Sequence, residues 1–340
     1  MKDLSMKKVL IINTGGTIGM KNTDEGYAPV SGYLFDELKK IDDLNRSGMP
    51  KWDFQELPTL LDSSNVSANE WNNIAKIIVD YYPSYDGFVI LHGTDTMAYT
   101  SSALSFILHG LDKPVVLTGS QIPLCEVRSD ARDNLISSII IASEGMVKEV
   151  CLCFGGKLLR GNRATKTSAD RLLAFDSPNY PYLAEIGISV KYNHTAFGKY
   201  GGDTLEYRPF STVPIGVLKV FPGMQFGLFE SIITEKLSGV VLETFGTGNI
   251  PHGGDDLLPI IKKAFKAGAV VTVCSQCVAG SVTLGAYQTS NALKQAGAVS
   301  GKDMTTESAV AKLYHLFSMG YDTSEIKALM EENLVGELTF

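Results

Sequence analysis

A chain of 340 residues is longer than one hydrophobic core usually serves and predicts two domains. Its 44% hydrophobic and 20% charged residues are those of an ordinary globular protein, and a net charge of −7 without a basic block excludes nucleic acid and anionic membrane as partners. Five scattered cysteines, an odd number, exclude a disulfide framework.

The chain opens with Lys7, Lys8 and the apolar run 9–12. Four apolar residues are too few for a signal-peptide core, and no segment approaches the roughly 18 apolar residues of a membrane span. A cytoplasmic protein is expected. The first strand, 8–12, runs into "NTGGTIG" at 13–19, and "DEGYAPVSGY" (24–33) follows as a loop punctuated by Gly and Pro. "LDSSN" (61–65) precedes a helix over 67–82, which starts with a capping box, Ser67 with Glu70. A strand at 87–91 leads into "HGTDT" (92–96) and a helix over 95–109 that stops at Gly110. A strand at 114–118 leads into "TGSQIP" (118–123), then come a helix at 129–145 and a strand at 149–154.

Alternation of this kind predicts a mostly parallel sheet with flanking helices, an N-terminal α/β domain over 1–190. Residues 191–213, rich in Gly, Tyr and polar side chains, read as a linker. A smaller, flavodoxin-like α/β domain is expected over 214–340. Its strands are predicted at 214–220, 238–243 and 269–274, and its helices near 226–236, 255–267, 306–318 and 323–333. The last helix opens on a second capping box, Asp322 with Glu325.

Ligands of open α/β sheets gather at the carboxyl ends of strands, where four loops here are rich in hydroxyls and glycines. "TGGTIG" lacks the G-x-G-x-x-G spacing and no P-loop occurs, which argues against a nucleotide site. Two readings of the loop stay open. It is a tight turn in which Gly15 and Gly16 supply positive φ, or it seats a nucleophilic hydroxyl. The second reading gains from Thr94 and Asp95 at the end of another strand. No G-x-S-x-G elbow is present, so a threonine would need another base. "RGNRATKTSAD" (160–170) offers Lys166, otherwise a solvated charge, and Tyr27 in its loop could move as a lid or simply pack. Cys274 and Cys277 have CxxC spacing but no second pair, and the histidines at 92, 109, 194, 252 and 315 are scattered. No metal is expected.

The set "TGGTIG", "HGTDTMAYT", "TGSQIP" and "RATKT" resembles bacterial-type L-asparaginase, most closely its cytoplasmic type I branch, from residue 8 to "GELTF" at the end. The resemblance implies a cofactor-free hydrolysis of L-asparagine to L-aspartate and ammonia through a threonyl ester. Thr14 matches the nucleophile and Tyr27 the lid tyrosine hydrogen-bonded to it. Ser63 matches the residue holding the substrate α-carboxylate. Ser64 stands where periplasmic relatives carry Gln, which again favours type I. Thr94 matches the second essential threonine, Asp95 the carboxylate that takes the α-ammonium group, and Lys166 the lysine coupled to Thr94. Ser120 in "TGSQIP" and Asn249 in "FGTGN" complete the substrate-binding set, Asn249 as a contribution from a neighbouring subunit. A homotetramer built from dimers is implied as well. Two other readings compete. One is an archaeal-type tRNA amidotransferase subunit, for whose extra N-terminal domain a first strand at residue 8 leaves no room. The other is a non-catalytic small-molecule or nucleotide-binding module on an α/β scaffold.

Overall fold

The computed structural model describes residues 3–24, 26–198, 204–251, 257–285 and 288–339. The chain forms two compact units that divide between Tyr207 and Arg208.

The first unit begins with β1 (Lys8–Gly15), the hairpin β2 (Met20–Thr23) and β3 (Gly26–Pro29), helix α1 (Tyr33–Lys39) and β4 (Lys51–Leu61). It continues with α2 (Ala68–Tyr81), β5 (Gly87–Leu91), α3 (Met97–Ile107), the two-residue β6 (Leu108–His109), β7 (Val115–Thr118), α4 (Ala131–Glu144) and β8 (Val150–Phe154). After these come β9 (Lys157–Arg160), β10 (Thr165–Lys166), β11 (Phe175–Asp176), β12 (Ala184–Ile186), β13 (Val190–Tyr192) and β14 (Glu206–Tyr207). Eight strands form one sheet in the order β13-β12-β9-β8-β7-β5-β1-β4. The five from β8 to β4 are parallel, and the other three join antiparallel.

Position in the sheet explains composition. Every residue of β5 and of β8 is buried, as central strands covered on both faces require, so both read as unbroken apolar runs. Helix α2 turns Trp71, Ile74, Ala75 and Ile78 inward and begins at the expected capping box, in which Ser67 N donates to Glu70 Oε2 over 2.9 Å. Helix α3 ends at Leu108 because the chain there enters a strand pairing with β14, Leu108 opposite Tyr207. The stretch read as a linker thus carries structure of its own, since β13 pairs with β12 and β14 with β6.

The second unit holds four parallel strands in sequence order, β15 (Ile215–Lys219), β16 (Gly239–Thr244), β17 (Val270–Ser275) and β18 (Val299–Ser300). Its helices are α5 (Leu257–Lys266), α6 (Gln288–Ala296), α7 (Thr306–Ser318) and α8 (Thr323–Met330). Val240, Leu242, Val271 and Val273 pack with Leu257, Ile260, Ile261 and Leu293 in its core. The helix expected over 226–236 is instead a 3₁₀ turn, Phe226–Phe229, and a wide π-type turn, Ile232–Lys236. Gly227 and the β-branched pair Ile232–Ile233 within it weaken an α-helix. Residues 255 and 256 of the expected fifth helix, and His252, lie outside the described residues.

One ion pair in this unit is wholly interior. The Lys312 and Glu337 side chains are both 0% exposed, with Nζ 2.6 Å from Oε1. Lys312 also donates to Met330 O and Glu332 O, while Glu337 accepts from the backbone of Leu334 and Val335. The pair fastens the chain after α8 onto α7. Burial pushes the Lys312 ammonium below its ordinary pKa, against the pull of Glu337. Lys312→Met leaves a carboxylate buried without its cation and is expected to lower unfolding stability by about 3–5 kcal/mol. Urea titration measures this, and adding Glu337→Gln should recover part of the loss.

Candidate active site

The loops after β1, β4 and β5 meet through glycine. Gly15 (φ 113°) and Gly16 (φ 86°) adopt backbone conformations that disfavour any side chain. A Cβ on Gly15 would lie 2.4 Å from Leu61 O, and one on Gly16 would lie 2.4 Å from Gly93 N and 2.5 Å from its Cα. A Cβ on Gly93 would in turn lie 2.5 Å from Ser63 Oγ. Backbone therefore rests on backbone across three strand ends.

His92 braces the third of these loops. Its Nδ1 is 2.8 Å from Gly93 O and its Nε2 is 2.9 Å from Thr100 Oγ1 on α3, which also accepts from Trp71 Nε1 at 3.1 Å. A carbonyl can only accept, so Nδ1 carries the proton, and Thr100 donates to Nε2. Full burial pushes the ring's pKa down to about 4, which keeps it neutral.

Thr14, next to last in β1, is 2% exposed and donates from Oγ1 to Leu91 O at 2.8 Å. The hydrogen bond expected between Tyr27 and Thr14 is not formed, because each hydroxyl has one proton and each is committed elsewhere. Tyr27, on β3 and 47% exposed, donates to Glu126 Oε1 at 2.7 Å. That carboxylate is a stronger acceptor than a hydroxyl and raises the phenol's pKa. Gly15 N, one of the donors a glycine turn offers, is directed to Asn13 Oδ1 at 3.1 Å.

Thr94, Asp95 and Lys166 are brought together. Lys166 Nζ lies 2.8 Å from Thr94 Oγ1 and 2.7 Å from Asp95 Oδ1. It reaches them from β10, which pairs with β11 in a short hairpin. Its side chain is 18% exposed, whereas that of Asp95 is 69% exposed and keeps surface for a second cation. Thr94 donates to Gln121 Oε1 at 3.1 Å. The orientation of that amide is set from its far end, where Nε2 donates to Ala169 O at 3.1 Å and Arg171 O at 3.2 Å. Two carbonyls demand the NH₂ group, so the oxygen must face Thr94.

Ser63 is buried at the start of a 3₁₀ turn, and its carbonyl accepts from Thr96 Oγ1 at 2.7 Å. Ser64 is exposed, with its N–H bonded to Asp62. Ser120, 1% exposed, donates to Ile122 O at 2.7 Å, so its hydroxyl proton serves its own turn. Asn249 sits in the second unit, where its backbone closes a small loop against Phe245 on both sides. Cys274 is buried, its thiol pushed up to about 12 by burial, while Cys277 is exposed. Among the described residues no group of three His, Cys, Asp or Glu could hold a metal, and no helix is long and apolar enough to cross a membrane.

Sequence does not mark out Gln121 or Glu126, and it shows His92 only as one of five scattered histidines. Gln121 adjoins Ser120 in "TGSQIP", and a count of hydroxyls passes over it. Nothing local links Glu126 to Tyr27, 99 positions away.

Comparison with known proteins adds the following. The family model described as Asparaginase, N-terminal matches residues 8–197, and that of the Glutaminase/Asparaginase C-terminal domain matches residues 214–330. The chain is 43% identical over 336 residues to L-asparaginase 1 of Escherichia coli (strain K12), covering 99% of each. It aligns with the crystal structure of L-asparaginase I from Vibrio cholerae at a TM-score of 0.91 and 41% identity, covering 98% of this chain and 100% of that one. The thermostable L-asparaginase from Thermococcus kodakarensis aligns at 0.90 and 32% identity, covering 98% and 99%.

Two outcomes follow from the geometry. Gly16→Ala drives a methyl group into Gly93 backbone at positive φ and should destabilise the first unit by about 3 kcal/mol or more, read as a shift of the denaturant midpoint. The neutral buried His92 makes stability depend on pH. Unfolded, the ring titrates near 6.5, and folded near 4. The stabilisation is complete above pH 6.5 and is lost as pH falls towards 4, by roughly 3 kcal/mol in all. Urea midpoints between pH 7 and 4 should show this slope in the wild type and a shallower one in His92→Gln.

Proposed function

The chain belongs to the asparaginase family, and we propose that it hydrolyses L-asparagine to L-aspartate and ammonia through an ester formed on Thr14. What supports the reading above all is Lys166, whose ammonium group bridges Thr94 and Asp95. That bridge stands on the loop whose Gly93 lies against the glycine turn next to Thr14.

Asparagine is a small zwitterion with an amide at its far end. The exposed Asp95 carboxylate suits its ammonium group, and Ser63 suits its carboxylate. Held at both charges, the amide carbon is presented to Thr14 without the entropy loss of a free encounter. Thr14 Oγ bonds to that carbon, its proton leaves for a base, and the C–N bond breaks with ammonia taking up a proton. Leu91 O orients the Thr14 hydroxyl but cannot take its proton, so the base is another group. Water then adds to the ester and releases aspartate. In that second half Thr94 is the candidate to hold the water, its own oxygen fixed between Lys166 and Gln121. A cytoplasmic homotetramer, with Asn249 supplied by a neighbouring subunit, is adopted from family membership.

Thr14→Ala should reduce ammonia release from asparagine on the order of 10³-fold or more, while Thr14→Ser keeps a measurable rate. A coupled ammonia assay, with thermal melting to verify the fold, measures both. Release by Thr14→Ala equal to that of the wild type would overturn the nucleophile assignment.

A further inference from the structure

We infer that Glu126 is a positioning residue: it fixes the place and the polarity of Tyr27, and through Tyr27 it acts on Thr14. The inference rests on the reading of Thr14 as nucleophile and Tyr27 as its lid partner.

The hairpin that carries Tyr27 has two strands of four residues each, too small to hold its own position in water. It is fastened by the segment 124–126, on the loop between β7 and α4. Leu124 N donates to Ile18 O at 3.2 Å, the Cys125 thiol lies 3.6 Å from Met20 O, and Glu126 accepts from Tyr27 at 2.7 Å. Ile18 stands two residues beyond Gly16. The frame that holds the Thr14 turn therefore also holds the acceptor for Tyr27. The other end of the same loop is pinned by Asp130, whose carboxylate accepts from the N–H groups of Gln121 and Ile122, and Gln121 in turn holds Thr94.

Polarity follows from counting protons. A phenol has one, and here it points to a carboxylate. Towards any further group Tyr27 offers lone pairs only, so it meets a hydroxyl as an acceptor. A nucleophilic threonine gains from such a neighbour once its proton turns away from Leu91 O, where it points here. Without Glu126 the phenol could donate to Thr14 instead, which would blunt its attack. The raised pKa of Tyr27 agrees with a hydroxyl that keeps its proton on the Glu126 side.

The test is a double-mutant cycle on purified full-length enzyme, with asparagine as substrate. Glu126→Ala should lower kcat about 10- to 100-fold at little changed melting temperature, since Tyr27 is exposed and Glu126 only half-buried. Glu126→Gln retains a carbonyl oxygen to accept the phenol and should stay within about threefold of the wild type. In a Tyr27→Phe background Glu126→Ala should have no further effect, because the residue it acts through is gone. Wild-type kcat and KM in Glu126→Ala, with Thr14→Ala inactive, would overturn the role of Glu126 and leave the proposed function standing. A loss as large in the Tyr27→Phe background as in the wild type would also overturn it. Activity in Thr14→Ala would instead strike the underlying reading of the nucleophile.

Discussion

Everything at the candidate site depends on the contact between Gly16 and Gly93. These residues touch backbone to backbone, with no room for a single methyl group between them. Close approach of this kind transmits position almost without slack, because no rotatable side chain intervenes. Gly15 against the Leu61 backbone extends the contact to the end of β4, and Gly93 also packs against the Ser63 side chain. Thr14, Ser63, Thr94 and Asp95 thus stand on three turns that behave as one rigid base. Hydroxyl chemistry tolerates misplacement of well under 1 Å, and a base of this construction supplies that tolerance.

On this base the polar groups are ordered by acceptors rather than by charge alone. Thr14 points to Leu91 O, Thr94 to Gln121, Tyr27 to Glu126 and Ser120 to Ile122 O. Each hydroxyl proton has one direction, so each oxygen presents lone pairs elsewhere. Lys166 is the donor that meets one such oxygen, at Thr94. Where a hydroxyl points matters as much here as which hydroxyl it is. Ser120 shows this, since its proton is taken by its own turn.

Sequence revealed the central strands well and the periphery poorly, and burial explains the difference. Residues 9–12, 87–91 and 150–154 are apolar runs because both faces of those strands are covered. By contrast β4 passes unrecognised. It lies at the edge of the sheet, mixes Lys51, Asp53 and Glu56 with aromatics, and contains Pro58, which a central strand would not tolerate. The β2–β3 hairpin has no apolar face to betray it. At the site, the threonines and Lys166 announce themselves through glycine-rich strand ends and a motif resemblance. The acceptors that orient them do not. Gln121 meets Thr94 across 27 positions and Glu126 meets Tyr27 across 99, and only the folded chain brings such pairs within reach.

The placement of β1 has a consequence for how the molecule is made. Although it precedes both of its sheet neighbours in the chain, it lies inside the sheet, with Val9 opposite Trp52 on one side and Gly87 on the other. Neither neighbour exists when β1 leaves the ribosome, so its apolar run must wait, exposed, for strands that arrive some dozens of residues later. Non-local pairing of this sort is slow, because the entropy of closing the intervening chain is lost before any contact forms. The turn that carries Thr14 can take its final shape only when Gly93 reaches it, so the candidate site would be assembled late in folding, however early its threonine was made.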